Sequence, residues 1–198
     1  MFKNLLVASM LALSSCAFYT NVCDCESVPE ERQEKLNKLL ISTLNNVKNP
    51  HNFELVEFLV SEGADIKSIA NMNIGGTEKE PIYPLFWAML GGDDFRLAEL
   101  LIKNGADINK CKYNTQCMEM MAIFPDRKGT KLLIDNGANV NYINKEGESV
   151  LDTFAKYNMK RKSLSDEDKE VLQMLINAGA KLNKYKDDKE VKAFLGIE

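Results

Sequence analysis

Four copies of one short phrase constrain this chain more than any other feature. Gly63-Ala64-Asp65-Ile66, Gly105-Ala106-Asp107-Ile108-Asn109, Gly137-Ala138-Asn139-Val140-Asn141 and Gly179-Ala180-Lys181-Leu182-Asn183 place their glycines 42, 32 and 42 residues apart. Before each lies a stretch such as Leu97-Ala98-Glu99-Leu100-Leu101-Ile102-Lys103-Asn104, with apolar residues at helical spacing. Glycine takes the left-handed conformation that closes a helix, which is strained for residues with a Cβ. The Asx that follows favours a chain reversal by bonding to nearby backbone. The phrase therefore marks the end of a repeated unit, and stacked repeats make binding surfaces and seldom catalytic pockets.

The other half of each unit lies upstream. Tyr83-Pro84-Leu85-Phe86-Trp87-Ala88 begins 22 residues before Gly105, and Thr115-Gln116-Cys117-Met118-Glu119-Met120 begins 22 before Gly137. Ser149-Val150-Leu151-Asp152-Thr153-Phe154 heads the fourth unit. These segments resemble the ankyrin signature T-P-L-H-x-A, and Asn144-Lys145-Glu146-Gly147-Glu148-Ser149 resembles the D-x-x-G-x-T turn of that family. The matches are incomplete: Tyr, Thr and Ser stand at the Thr position, and the His is missing throughout. The resemblance runs from about Pro29 to the C-terminus. It implies an all-α fold, an ankyrin-repeat solenoid of about four helix-turn-helix repeats with β-finger loops and a short C-terminal capping helix.

The boundaries follow from the same register: a repeat domain over 27–198, with units at about 29–67, 78–110, 111–143 and 144–184 and a cap at 187–198. An ankyrin unit is about 33 residues, so each 42-residue interval carries roughly nine extra. In the first interval they lengthen the finger between Lys67 and Ile82; in the last they fall between the two helices, at 156–164. Ser27-Val28-Pro29-Glu30 reads as an N-cap with its capping-box Glu, opening a helix through Leu36, Leu39, Leu40 and Leu44. Asp187 to Leu195 reads as one short amphipathic helix.

What precedes Ser27 is of another kind. Met1-Phe2-Lys3-Asn4 is a short basic start, Leu5 to Leu13 an apolar run of nine, and Leu13-Ser14-Ser15-Cys16 follows. A helix needs ~20 residues to span a bilayer, so residues 1–15 read as an export signal and not an anchor. Leu13-Ser14-Ser15-Cys16 resembles the lipobox of bacterial lipoproteins, which implies cleavage before Cys16, lipid on that Cys and a lipidated tether over 16–26. Ala17 follows, where an Asp would suggest inner-membrane retention in enteric bacteria. The expected address is therefore the cell envelope, at the outer membrane facing the periplasm, with surface display the other option.

Charge excludes nucleic acid as a partner. Loss of residues 1–15 removes one lysine, leaving 24 basic against 29 acidic side chains, whereas phosphate-binding chains are normally basic. Of the five cysteines, Cys23 and Cys25 are too close for a relaxed disulfide. Cys111 and Cys117 flank a finger, so either they bridge it or Cys117 is simply core, where a thiol behaves as a small hydrophobe. The lone histidine, His51, sits in a loop, and neither H-E-x-x-H, G-x-S-x-G nor G-x-x-x-x-G-K-[ST] occurs. The acidic run 165–170 reads as a capped helix start, with Ser165 and Asp168 forming the box, and not as a calcium loop. Lys160-Arg161-Lys162 either complements a helix end or contacts phosphate or lipid headgroups. No enzyme activity, cofactor or metal is expected.

In ankyrin proteins the fingers and first helices line a concave face that touches partners. Carried over, the resemblance implies partner contacts from Phe86, Trp87, Met118, Glu119, Asp152 and Thr153. Trp is an enriched interface anchor and Trp87 is the only one here; the alternative is that Trp87 packs beneath the long finger. The expected role is a monomeric protein-interaction module tethered to the membrane by its N-terminal lipid. Some exported ankyrin-repeat lipoproteins block toxins such as lipases delivered into the periplasm, which implies an immunity or inhibitor protein. The other reading is an envelope scaffold or a chaperone for an exported enzyme.

Overall fold

A computed structural model describes residues 30–44, 52–67, 70–72, 80–90, 94–110, 117–161 and 164–197. Residues 1–29, and with them the export signal, Cys16 and the Ser27 cap, lie outside the described residues, as do His51, Cys111 and Lys162. The chain divides into two compact units, one ending at Asp65 and the other beginning at Ile66. The first contains α1 (Glu30–Leu44) and α2 (Asn52–Ser61). The second contains β1 (Ala70–Met72), β2 (Glu80–Ile82), α3 (Pro84–Met89), α4 (Arg96–Lys103), α5 (Cys117–Ile123), α6 (Arg127–Asp135), α7 (Val150–Asn158), α8 (Asp166–Asn177) and α9 (Lys189–Leu195).

The helices pair as helix-turn-helix units: α1 packs on α2, α3 on α4, α5 on α6 and α7 on α8. Between units of the second body, α5 packs on α7 and α6 on α8, while α9 covers α7. The lengthened finger forms an antiparallel hairpin, with Ala70 opposite Ile82 and Met72 opposite Glu80. Helical repeats therefore build the fold as expected, and the hairpin is the only named strand pair among the described residues.

The glycine phrase closes every second helix in the same way. Gly63, Gly105, Gly137 and Gly179 have φ of 88°, 89°, 80° and 84°. The alanine after each donates back across the turn, Ala64 to the Leu59 carbonyl, Ala106 to Leu101, Ala138 to Leu133 and Ala180 to Leu175, at 2.9–3.0 Å. This is the six-to-one bond of a Schellman closure. All four accepting leucines are fully buried, so each closure is locked to the core residue that anchors its helix.

Helix starts follow the residue at the signature Thr position. Ser149 accepts from the Asp152 N–H while the Asp152 carboxylate accepts from Ser149 N–H, a reciprocal capping box; Ser165 and Asp168 repeat it on α8. Tyr83 has no side chain that can reach back, and α3 starts without a side-chain cap but with Pro84 in the first turn, where its missing N–H is no loss. Asp188 caps α9 by accepting from Glu190 and Val191.

Gly129, inside α6, answers a different need. A Cβ there would lie 2.8 Å from Met121 Sδ and 2.9 Å from Phe95 Cζ, so the helix approaches its neighbours only because the position is bare.

Two substitutions separate backbone strain from crowding. Gly137→Ala has open space around its Cβ and should lower the unfolding free energy by about 1 kcal/mol through strain alone. Gly129→Ala gains up to ~1 kcal/mol of helix propensity but meets overpacking of roughly 1–3 kcal/mol, so a net loss is expected. Urea denaturation reads both, and an unchanged midpoint for Gly129→Ala would mean that Phe95 and Met121 yield without strain.

Candidate functional site

The surface a partner meets is set by how one unit is fastened to the next. In the second body the last residues of two phrases reach forward, while Asn183 reaches back to donate to the Gly147 carbonyl at 2.8 Å. Asn109 Oδ1 accepts from Asn139 N–H at 2.9 Å, and Asn141 Oδ1 accepts from Lys181 N–H at 2.9 Å while its Nδ2 donates to the Gly179 carbonyl at 2.9 Å. In the first body, where no phrase precedes, α1 does the same work: Gln33 Nε2 donates to the Gly63 carbonyl and Asn37 Oδ1 accepts from Asp65 N–H, both at 2.8 Å.

At the C-terminal unit the fastening is a carboxylate. Asp152 is fully buried and accepts four backbone N–H bonds, from Ser149 at 2.8 Å, Asn183 at 3.0 Å, Lys184 at 2.9 Å and Tyr185 at 3.0 Å. Burial works against its ionisation, but these four donors outweigh it and hold the pKa below the usual carboxylate value. Its neighbour Glu148 is also buried and accepts from Lys156 at 2.9 Å, Lys184 at 2.8 Å and the Tyr185 hydroxyl at 3.5 Å. There too burial is overcome by the two lysines, and the pKa falls. Together these side chains pin the 183–185 turn over the head of α7.

Glu119 has the opposite environment. Asn144 Nδ2 donates to its Oε1 at 2.8 Å, whereas Oε2 is buried without a hydrogen-bond partner. Burial dominates, and with Glu146 and Glu148 nearby the pKa rises. Among the described residues no group of three His, Cys, Asp or Glu side chains is placed to hold a metal ion.

Of the six residues expected to touch a partner, five are withdrawn from solvent: Phe86 and Glu119 are 8% exposed, Met118 and Thr153 1%, and Asp152 0%. The reason is that the signature positions of a first helix face the adjoining first helix and the turn above it, as the packing of α5 on α7 and the bonds of Asp152 make plain. Trp87 alone is half-buried, its ring edge-on to Phe86 at 5.3 Å between centroids and its Nε1 buried without a hydrogen-bond partner. Cys117 is fully buried and disulfide-bonded; its partner cysteine, and with it Cys111, lies outside the described residues.

Other side chains hold the open surface. Leu90, Phe124, Ile143 and Tyr157 are 45%, 68%, 42% and 47% exposed. Leu90, Phe124 and Tyr157 stand four to six positions beyond Phe86, Met118 and Asp152, at or just past the last turn of successive first helices, while Ile143 belongs to a finger. Their signal in the sequence is an apolar residue at a helix end where a repeat needs none, and it shows only once the units are aligned on their phrases. A cavity of about 520 Å³ opens beside the hairpin arm, lined by Lys67, Tyr83, Asp107 and Lys110 among others.

The family model described as ankyrin repeats (3 copies) matches residues 44–144, just over half of the chain. None of the curated proteins matches the chain in sequence.

The two acids should respond oppositely to substitution and pH. Asp152→Ala strands several buried N–H groups at roughly 1–3 kcal/mol each, so a loss of about 3 kcal/mol or more is expected in thermal or chemical unfolding. Because its folded pKa is depressed, the stabilisation by Asp152 is complete at neutral pH and disappears as pH falls through that lowered value. Glu119→Gln should raise stability at neutral pH, since burial disfavours the charge it removes, and the gain should fade as pH falls through the raised pKa. A pH-independent effect of either variant would contradict these assignments.

Proposed function

The chain belongs to the ankyrin-repeat family, whose repeats are protein–protein interaction modules and typically non-catalytic, and from that premise we propose that it is an exported, lipid-tethered binder of a protein in the bacterial envelope. Its concrete form is an immunity or inhibitor protein that occupies the active cleft of a toxin delivered into the periplasm. Leu13-Ser14-Ser15-Cys16 at the end of the apolar run supports export and lipidation at Cys16. The observation that supports binding is Trp87, an indole on a first helix that stays partly open to solvent where the other five expected contact residues are buried.

Affinity purification from intact envelope tests the reading, with one tight toxin partner as the expected result. Several envelope proteins in place of it would favour a scaffold. Replacing Trp87 by Ala should weaken the complex by ~2 kcal/mol or more, measured by titration calorimetry with the purified partner. Cells lacking the gene should become sensitive to toxin-bearing siblings, and full resistance would sink the immunity role. Mass spectrometry of the N-terminal peptide should find diacylglycerol on Cys16.

A further inference from the structure

A closed helix end in this chain turns two backbone groups outward, the glycine carbonyl and the N–H two residues further on, and side-chain amides cover them. Asn141 donates to the Gly179 carbonyl and accepts from Lys181 N–H, both at 2.9 Å. Gln33 and Asn37 divide the same two bonds at Gly63 and Asp65, both at 2.8 Å. Asn109 takes one of the pair, accepting from Asn139 N–H at 2.9 Å. A carboxamide suits the task because it carries a donor and an acceptor side by side on one carbon.

The turn at Gly105 is left open. Among the described residues no group donates to the Gly105 carbonyl and none accepts from Asp107 N–H. Lys67 holds the place that Asn109 and Asn141 hold in their phrases, and an ammonium group cannot accept from an N–H. Gly105 and Asp107 are exposed, and both line the cavity of about 520 Å³ together with Ile66, Tyr83, Leu85 and Lys110. Residues carrying the two unclaimed groups thus share a cavity with apolar Ile66 and Leu85. Tyr83 stands at the head of α3, and Trp87 follows one turn along the same helix.

We propose that the open turn at Gly105 recognises an asparagine or glutamine side chain of the protein partner, which donates to the Gly105 carbonyl and accepts from Asp107 N–H. The geometry is the one Asn141 already makes within this chain. A carboxylate also accepts from such N–H groups, as Asp152 does at Asn183, but it brings negative charge against the Gly105 carbonyl oxygen and leaves that oxygen without a donor. Both groups bond to solvent in the free chain, and the exchange for a carboxamide gains modestly per bond. The turn therefore selects which residue the partner presents here more than it sets total affinity. This rests on the protein-binding reading and narrows it to partners with an exposed carboxamide.

The test begins within the chain. In the mature protein, residues 16–198 with Cys16→Ser, Lys67→Asn should supply the missing amide and slow hydrogen exchange at Asp107 N–H about tenfold, toward the rates of Asn139 and Lys181. Lys67→Ala, which removes the lysine without supplying an amide, should leave that rate unchanged. Random heptapeptides displayed on phage are then selected on the Lys67-bearing protein. The selected peptides should be rich in Asn or Gln, and replacing that residue by Asp or Ala should weaken binding about tenfold. Lys67→Asn should weaken it by a similar factor, and Lys67→Ala by less than about twofold. Unchanged exchange in Lys67→Asn, peptides without a carboxamide, Asp serving as well as Asn, or no peptide sensitive to Lys67→Asn would each overturn the proposal. An envelope partner that binds Lys67→Asn as tightly as the natural chain would also overturn it, while leaving the binder reading intact.

Discussion

The left-handed glycine at the end of each second helix is the constraint on which the rest depends. Once the alanine N–H has turned back to its buried leucine, the glycine carbonyl and the N–H two residues further on are left facing outward from the closed turn. Those same two groups receive the next fastening: Asn141 takes both at Gly179 and Lys181, and Gln33 and Asn37 take them at Gly63 and Asp65. A single local backbone event thus closes a helix, fixes the register of the stacking and decides which side-chain amide must stand beside it. In the first phrase Lys67 occupies the place of the reaching Asn.

Three carboxylates on or beside the first helices illustrate how position sets the character of one functional group. Asp152 meets four backbone donors and remains charged in a buried site, Glu148 meets two ammonium groups, and Glu119 meets one amide and has an oxygen left over. Burial disfavours the charge on all of them, so the count of donors decides which pKa falls and which rises. Asp152 stands where the family signature has His. It fastens the last unit through N–H acceptance, a solution open to a short anion because it can serve as capping-box residue and as turn anchor at once.

The second body offers two unlike edges. One carries the strands of the lengthened hairpin and exposed Ile143; the other carries exposed Leu90, Phe124 and Tyr157. Repeats impose this polarity automatically, because every first helix runs in the same sense. Any preference at one helix end is multiplied along the stack, and three modest exposed side chains become a row.

Much of the architecture was legible from residue order alone. The phrases located the helix ends because a positive φ is a local requirement that glycine meets and other residues resist, and Ser165 and Asp168 declared their cap because capping bonds span only three residues. The surplus between Gly63 and Tyr83 announced an enlarged finger for the same reason of count. The roles of the side chains on the first helices were decided by tertiary structure. Signature spacing places Met118, Glu119, Asp152 and Thr153 on one helical stripe, but whether that stripe meets solvent depends on how closely α5 and α7 approach. That distance is set by packing across units and has no local marker. Exposure of Phe124 and Tyr157 likewise follows from where the stack ends and water begins. The sequence by itself determined the period, the closures and the caps, since these are governed by bonds within a few residues; only the tertiary structure decided which surfaces remain open to a partner, since burial belongs to pairs of units and not to any one of them.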